Sequence, residues 1–148
     1  MTINSTKYPI PKNLSNNLAR SSVGLIVLNT DFTFERDFVR LYNDHQPEFD
    51  FYFNRIHFAN PMTPDSLAAI EGDLTQVSNE ILPGYDLDLV VFNCTSSSSI
   101  LGNDAVKLAI QKSKPSAKVL TTSQAVVCLL YTSPSPRDRS LSRMPSSA

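Results

Sequence analysis

Leu89-Val90-Val91-Phe92-Asn93-Cys94-Thr95-Ser96-Ser97-Ser98-Ser99-Ile100-Leu101-Gly102 is the stretch on which the fold turns. It opens as an apolar, β-branched run of the kind that forms a strand buried on both faces. A thiol follows, then a threonine and four serines, and beyond Gly102 an alanine-containing helical pattern. A cysteine at the carboxyl end of a buried strand, facing a helix start, occupies the place where open α/β sheets bind ligands. The hydroxyls and free N–H groups of Thr95 to Ser98 suit a small carboxylate. The competing reading makes Cys94 a buried apolar thiol and the serines mere helix caps.

Working outward, the flanking segments repeat a strand–helix alternation. Residues 1–20 are polar, with Pro9 and Pro11, and read as a loose leader. Val23 to Leu28 is a buried strand, followed by a loop and a helix from Phe34 to about Tyr42 with Thr33 as its cap. Phe49 to Phe58 is an aromatic-rich second strand with Arg55 and His57 near its end. Thr63 followed by Pro64 starts a helix whose apolar face carries Leu67, Ile70, Leu74, Val77 and Ile81, and Pro83-Gly84 ends it. The third strand, Leu87 to Phe92, delivers Cys94. A helix from Asn103 to Lys112 and a fourth strand from Lys118 to Thr122 follow. This order predicts a parallel sheet flanked by helices.

The end of the chain departs from that alternation. Cys128 to Asp138 resembles the translated end of a transposon-type sequencing-library adapter, and Ser142 to Ala148 its distal end. Arg139 to Leu141 fall where a variable index would lie. Residues 128–148 are therefore expected to be foreign and disordered, and the natural half-domain to span 21–127. The whole chain carries 13 basic and 14 acidic side chains, and without the tail 10 and 13 remain. Nothing in that balance favours nucleic acid or an anionic membrane surface. Cys94 is then the one natural cysteine, which excludes a disulfide and points to a reduced, cytoplasmic setting.

Several chemistries are excluded by the residues. A cysteine phosphatase needs an arginine six positions after the cysteine, where Ile100 stands. There is no Gly-x-Ser-x-Gly elbow, and Asn29-Thr30-Asp31 is not a glycine-rich phosphate turn. His45 and His57 lack partners at metal-ligand spacing, so no metal is expected. Arg55 suits either a bound carboxylate or a neighbouring acid, the second being the commoner use of a strand-end arginine. Asp86 and Asp88 read as solvated groups at a strand start. Thr121, Thr122 and Ser123 read as cleft-lining or capping residues.

Taken together, Leu25-Ile26-Val27, Asp31-x-Thr33-x-Glu35, Arg55, Asn60-Pro-x-Thr63-Pro, Leu82-Pro-Gly84, Cys94-Thr-Ser and Thr121-Thr-Ser123 resemble the Asp/Glu racemase superfamily. Within it, they are most similar to the branch of maleate cis–trans isomerase, arylmalonate decarboxylase and ectoine-utilisation racemase-like proteins. The resemblance covers Ser22 to Val127, the amino-terminal half of the family's length. It implies two flavodoxin-like halves with the site between them, a cysteine from each, and no cofactor. Cys94 then matches the first-half catalytic cysteine, with Thr95, Ser96, Asp31, Thr33 and Thr122 around the substrate. It further implies a small carboxylate or dicarboxylate substrate, isomerised, racemised or decarboxylated, and leaves room for a homo-oligomer. Asp31 stands where maleate isomerases typically carry asparagine, and a carboxylate there repels a dianion unless paired. The alternative function is a non-catalytic module that binds a small carboxylate at the same strand end.

Overall fold

A computed structural model describes residues 20–132. The strands β1 (Ser21–Leu28), β2 (Phe49–Ile56), β3 (Leu89–Asn93) and β4 (Lys118–Thr121) form one sheet in the order β2-β1-β3-β4. Every neighbouring pair is parallel. That order is the flavodoxin-like arrangement, in which the two central strands run in the same direction and their exits share one edge. The leader expected over residues 1–20 lies outside the described residues except for Arg20.

One face of the sheet is fully packed. Ile26, Ile56, Val90 and Phe92 project into a core built with Leu67 of α2 (Pro64–Ala68), Ile70, Leu74 and Val77 of α3 (Ile70–Glu80), and Val106, Ala109 and Ile110 of α5 (Asn103–Gln111). The stripe foreseen from Leu67 to Ile81 is buried throughout, yet it lies on two helices rather than one. The break is at Ala69, whose carbonyl accepts from Gly72 N–H at 3.2 Å, a tight three-residue closure that redirects the chain. Thr63 caps α2 reciprocally with Ser66, as the Thr-Pro signal predicts. An additional short helix, α4 (Thr95–Leu101), begins directly after Cys94. The serine run is thus helix rather than open loop.

The other face is covered unevenly. The helix α1 (Phe34–His45) lays Phe34, Phe38 and Tyr42 across Phe49, Phe51 and Phe53 of β2 in edge-on pairs, with Phe38 and Phe51 centred 5.1 Å apart. None of the residues on α1 is fully buried. Beyond it, Leu89, Val91 and Leu120 stay partly open. Leu89 and Val91 border a groove of about 610 Å³ floored by the sheet and flanked by Phe38 and Lys118.

Two expectations change here, and a third gains detail. Thr33 does not cap α1 with its side chain; Asp31 does, two residues earlier. Asp88 and Asp86 are exposed, as expected, and also hold backbone partners: Asp88 accepts from Ser22 N–H at 2.7 Å, and Asp86 from Ser116 N–H at 3.0 Å, tying strand starts together. Both lie beside strand starts, where a backbone donor lacks a ladder partner and a carboxylate satisfies it. Finally, α6 (Thr122–Thr132) runs through Cys128, so the first five residues of the tail expected to be disordered are helical. Helical hydrogen bonding is local, so the helix runs on beyond its contacts with α4 and β4; α6 has no buried residue, and Leu130 is 71% exposed. Residues 133–148 of the expected tail lie outside the described residues.

Candidate active site at the carboxyl edge of the sheet

Strand register decides which side chains meet. Val27 stands beside Arg55 on one side and Asn93 on the other, and Phe92 stands beside Thr121. The exits of all four strands therefore lie on one edge, and deliver the Asn29–Thr33 loop, His57, Cys94 and Thr122 to it. Cys94 is 8% exposed and is the N-cap of α4. Its thiol donates to Ser97 Oγ at 3.2 Å, and its sulfur accepts the Ser97 backbone N–H at 3.4 Å. The Ser98 hydroxyl donates to the Cys94 carbonyl at 2.7 Å, fixing the backbone that carries the thiol.

Thr95 and Ser96 are exposed and form the first turn of α4, where backbone N–H groups have no acceptor inside the helix. Their hydroxyls and amides are available to a ligand lying over Cys94. Thr122 is partly buried and donates to the Phe92 carbonyl at 3.5 Å. Its neighbour Thr121 is buried, donates to Asn103 and accepts Gln124 N–H, the capping use of this cluster.

Asp31 has a different environment. One carboxylate oxygen accepts Phe34 N–H at 3.0 Å and Thr33 N–H at 2.9 Å, while the other accepts from Asn93 Nδ2 at 3.5 Å. The Phe34 bond above all, helped by Thr33 and by the Arg55 charge, outweighs partial burial and holds the Asp31 carboxyl below the usual carboxylate range. Asp31 is therefore an anion with internal partners. The Thr33 hydroxyl is exposed and also turns toward it, at 3.3 Å. Arg55 pairs with Glu35 at 2.9 Å and donates to the Leu28, Asn29 and Asp31 carbonyls, so it braces the loop. The commoner reading of that arginine holds.

Two asparagines not singled out from sequence shape this edge, and Ser97, expected among the carboxylate donors, is instead buried against the sulfur. Asn93 links the cysteine segment to Asp31, and Ser97 contacts the sulfur. Asn29 contacts His57 Nδ1 at 3.2 Å and accepts Phe58 N–H, locking the β1 and β2 exits together. The asparagines could have been found from register, since each ends a buried strand with a polar amide. Ser97 is indistinguishable from its three neighbours until helix phase is known. Among the described residues no group of three or more metal-binding side chains is assembled, and no helix is long and apolar enough to cross a membrane.

No protein-family model and no curated protein matches the sequence. Solved structures do. The maleate isomerase Iso from Pseudomonas putida S16 superposes with a TM-score of 0.61 at 18% identity, over 75% of this chain and 48% of that one. The maleate cis–trans isomerase of Nocardia farcinica, bound to TRIS, gives the same score and coverage at 22% identity. So does a cysteine-to-serine variant of that enzyme with a covalently bound succinylcysteine intermediate. This chain has the maleate isomerase fold. It spans about half the length of the solved structures it matches. The sheet edge that carries Cys94 thus belongs to a fold used by enzymes acting on small molecules.

Proposed function

We propose that the chain is the amino-terminal half of a cofactor-independent, cysteine-dependent isomerase or racemase acting at a carbon next to a carboxylate. The supporting observation is Cys94 at the exit of central strand β3, buried at its base and crowned by the exposed first turn of α4. That is the one strand exit among the described residues that joins a nucleophile or proton carrier to unused hydroxyl and amide donors. The maleate isomerase fold lends support, because a structure with that fold carries a succinylcysteine intermediate.

In this reading the substrate carboxylate lies on the Thr95 and Ser96 donors. The Cys94 sulfur faces the adjacent carbon and either adds to a double bond or moves a proton. Loss of that proton builds enediolate-like charge on the carboxylate, which fixed donors stabilise without reorganisation. Asp31 stays ionised at this edge, and it disfavours a second carboxylate placed beside it. The substrate is therefore expected to carry one carboxylate at the α4 turn and to keep any second one away from the β1 exit. Racemisation, double-bond isomerisation and decarboxylation all use this arrangement.

Catalysis on two faces of a carbon needs a second acid or base opposite Cys94, supplied by a second half. Turnover is expected only from a two-half protein containing this segment, while this chain alone undergoes thiol alkylation without turnover. The test uses Cys128→Ser as background, since Cys128 is an exposed second thiol. Alkylation at Cys94 by a haloacetate, and loss of two-half turnover in Cys94→Ser, are expected. Undiminished turnover by Cys94→Ser would favour the non-catalytic carboxylate-binding module.

A further inference from the structure

We infer that Ser97 is a positioning residue for the Cys94 thiol, its hydroxyl reversing hydrogen-bond direction as the sulfur loses and regains its proton. The inference rests on the catalytic reading of Cys94 and adds to it the group that serves both protonation states. Ser97 is fully buried, 0% exposed, on the first turn of α4. Its Oγ lies 3.2 Å from Cys94 Sγ, and its backbone N–H points at the same sulfur. Its neighbour Ser98 is as deeply buried, but that hydroxyl is spent on the Cys94 and Thr95 carbonyls. Two adjacent serines thus do different work: one fixes backbone, the other meets sulfur.

A hydroxyl both donates and accepts, whereas a backbone N–H only donates. With Cys94 as a thiol, S–H donates to Ser97 Oγ. When the proton leaves to substrate or water, the Ser97 O–H rotates and donates to the thiolate, and no proton passes to Ser97. The backbone N–H of Ser97 supports the thiolate in addition. A hydrogen bond to an ionised partner is about twice as strong as a neutral one, so the hydroxyl favours the thiolate over an apolar side chain in its place. Several titratable groups lie on elements packed against α4: Asp65 on α2, Asp104 and Lys107 on α5, and Cys128 and Tyr131 on α6. Asp31 reaches Asn93 from the neighbouring loop, and His57 stands at the β2 exit. All are left unchanged by a substitution at Ser97.

The test compares iodoacetamide alkylation of Cys94 across pH in the Cys128→Ser chain, alone and with Ser97→Ala, Ser97→Thr or Ser98→Ala. Ser97→Ala is expected to slow alkylation at pH 7 about ten-fold and to raise the half-maximal pH by about one unit. Ser97→Thr is expected to restore the parent profile, and Ser98→Ala to leave it in place while lowering stability. Equal profiles for Ser97→Ala and Ser98→Ala overturn the proposal even where Cys94 is alkylated, whereas a Cys94 that resists alkylation in the parent chain overturns the catalytic reading instead. Should Ser97→Ala not fold, the Raman S–H stretch of Cys94 in the parent chain decides. A frequency lowered by hydrogen bonding supports the proposal, and a free-thiol frequency refutes it.

Discussion

Asp31 carries two loads, and they can be measured apart. Its carboxylate caps α1 through Phe34 N–H and holds Asn93 beside the cysteine. Removal of a capping side chain costs about 1 kcal/mol, so Asp31→Ala is expected to lower unfolding free energy by about that amount in urea titrations at pH 7. The pH dependence follows from the direction of its shift. The native carboxyl lies below its unfolded value of about 3.9, so its stabilisation is complete above that value and is lost as pH falls through the native one. The gap between parent and Asp31→Ala is therefore expected to narrow on going from pH 7 to pH 3. An unchanged gap would mean that the cap acts without its charge.

At the scale of elements, β1 shows what a central strand demands. Gly24 faces the junction of α3 and β3, where an added Cβ would lie 2.8 Å from Leu87 Cδ1 and 3.2 Å from Ile81 Cδ1. Gly24→Ala is expected to cost about 1–3 kcal/mol, because both neighbours belong to the packed face. Gly72, with open space about it on α3, is expected to gain about 0.5–1 kcal/mol as alanine. Thermal melts of the two variants, moving in opposite directions, check both. These elements also explain how far the sequence could be read. The strands announced themselves because buried parallel strands are continuous apolar runs, and Thr63-Pro64 is a cap written in two letters. The Cys94 position followed from the same logic. What stayed hidden depended on three-dimensional phase: the break at Ala69 inside an unbroken apolar stripe, the helix made by four like serines, and a cap displaced from Thr33 to Asp31. Asp86 and Asp88 are exposed as read, but their backbone donors, Ser116 and Ser22, are distant in sequence and so were not legible in it.

At the scale of the molecule, the unequal covering of the two sheet faces by the described residues has physical consequences. The groove between α1 and the β3–β4 half of the sheet exposes Leu89 and Val91, and α6 adds Val127 and Leu130 as exposed apolar side chains. An apolar dye such as ANS is expected to brighten on the folded chain, and Val91→Lys to abolish most of that signal while leaving the melting transition in place. Dye binding that survives Val91→Lys would put the apolar surface elsewhere, on α6. The half-bare sheet also sets a thermometer into the protein's colloidal behaviour. Attraction between apolar faces is driven by water entropy near room temperature and fades on cooling. Chilled solutions should accordingly scatter less light than warm ones, sulfate should reverse the clearing, and the chain should be best recovered from cold, low-salt preparations.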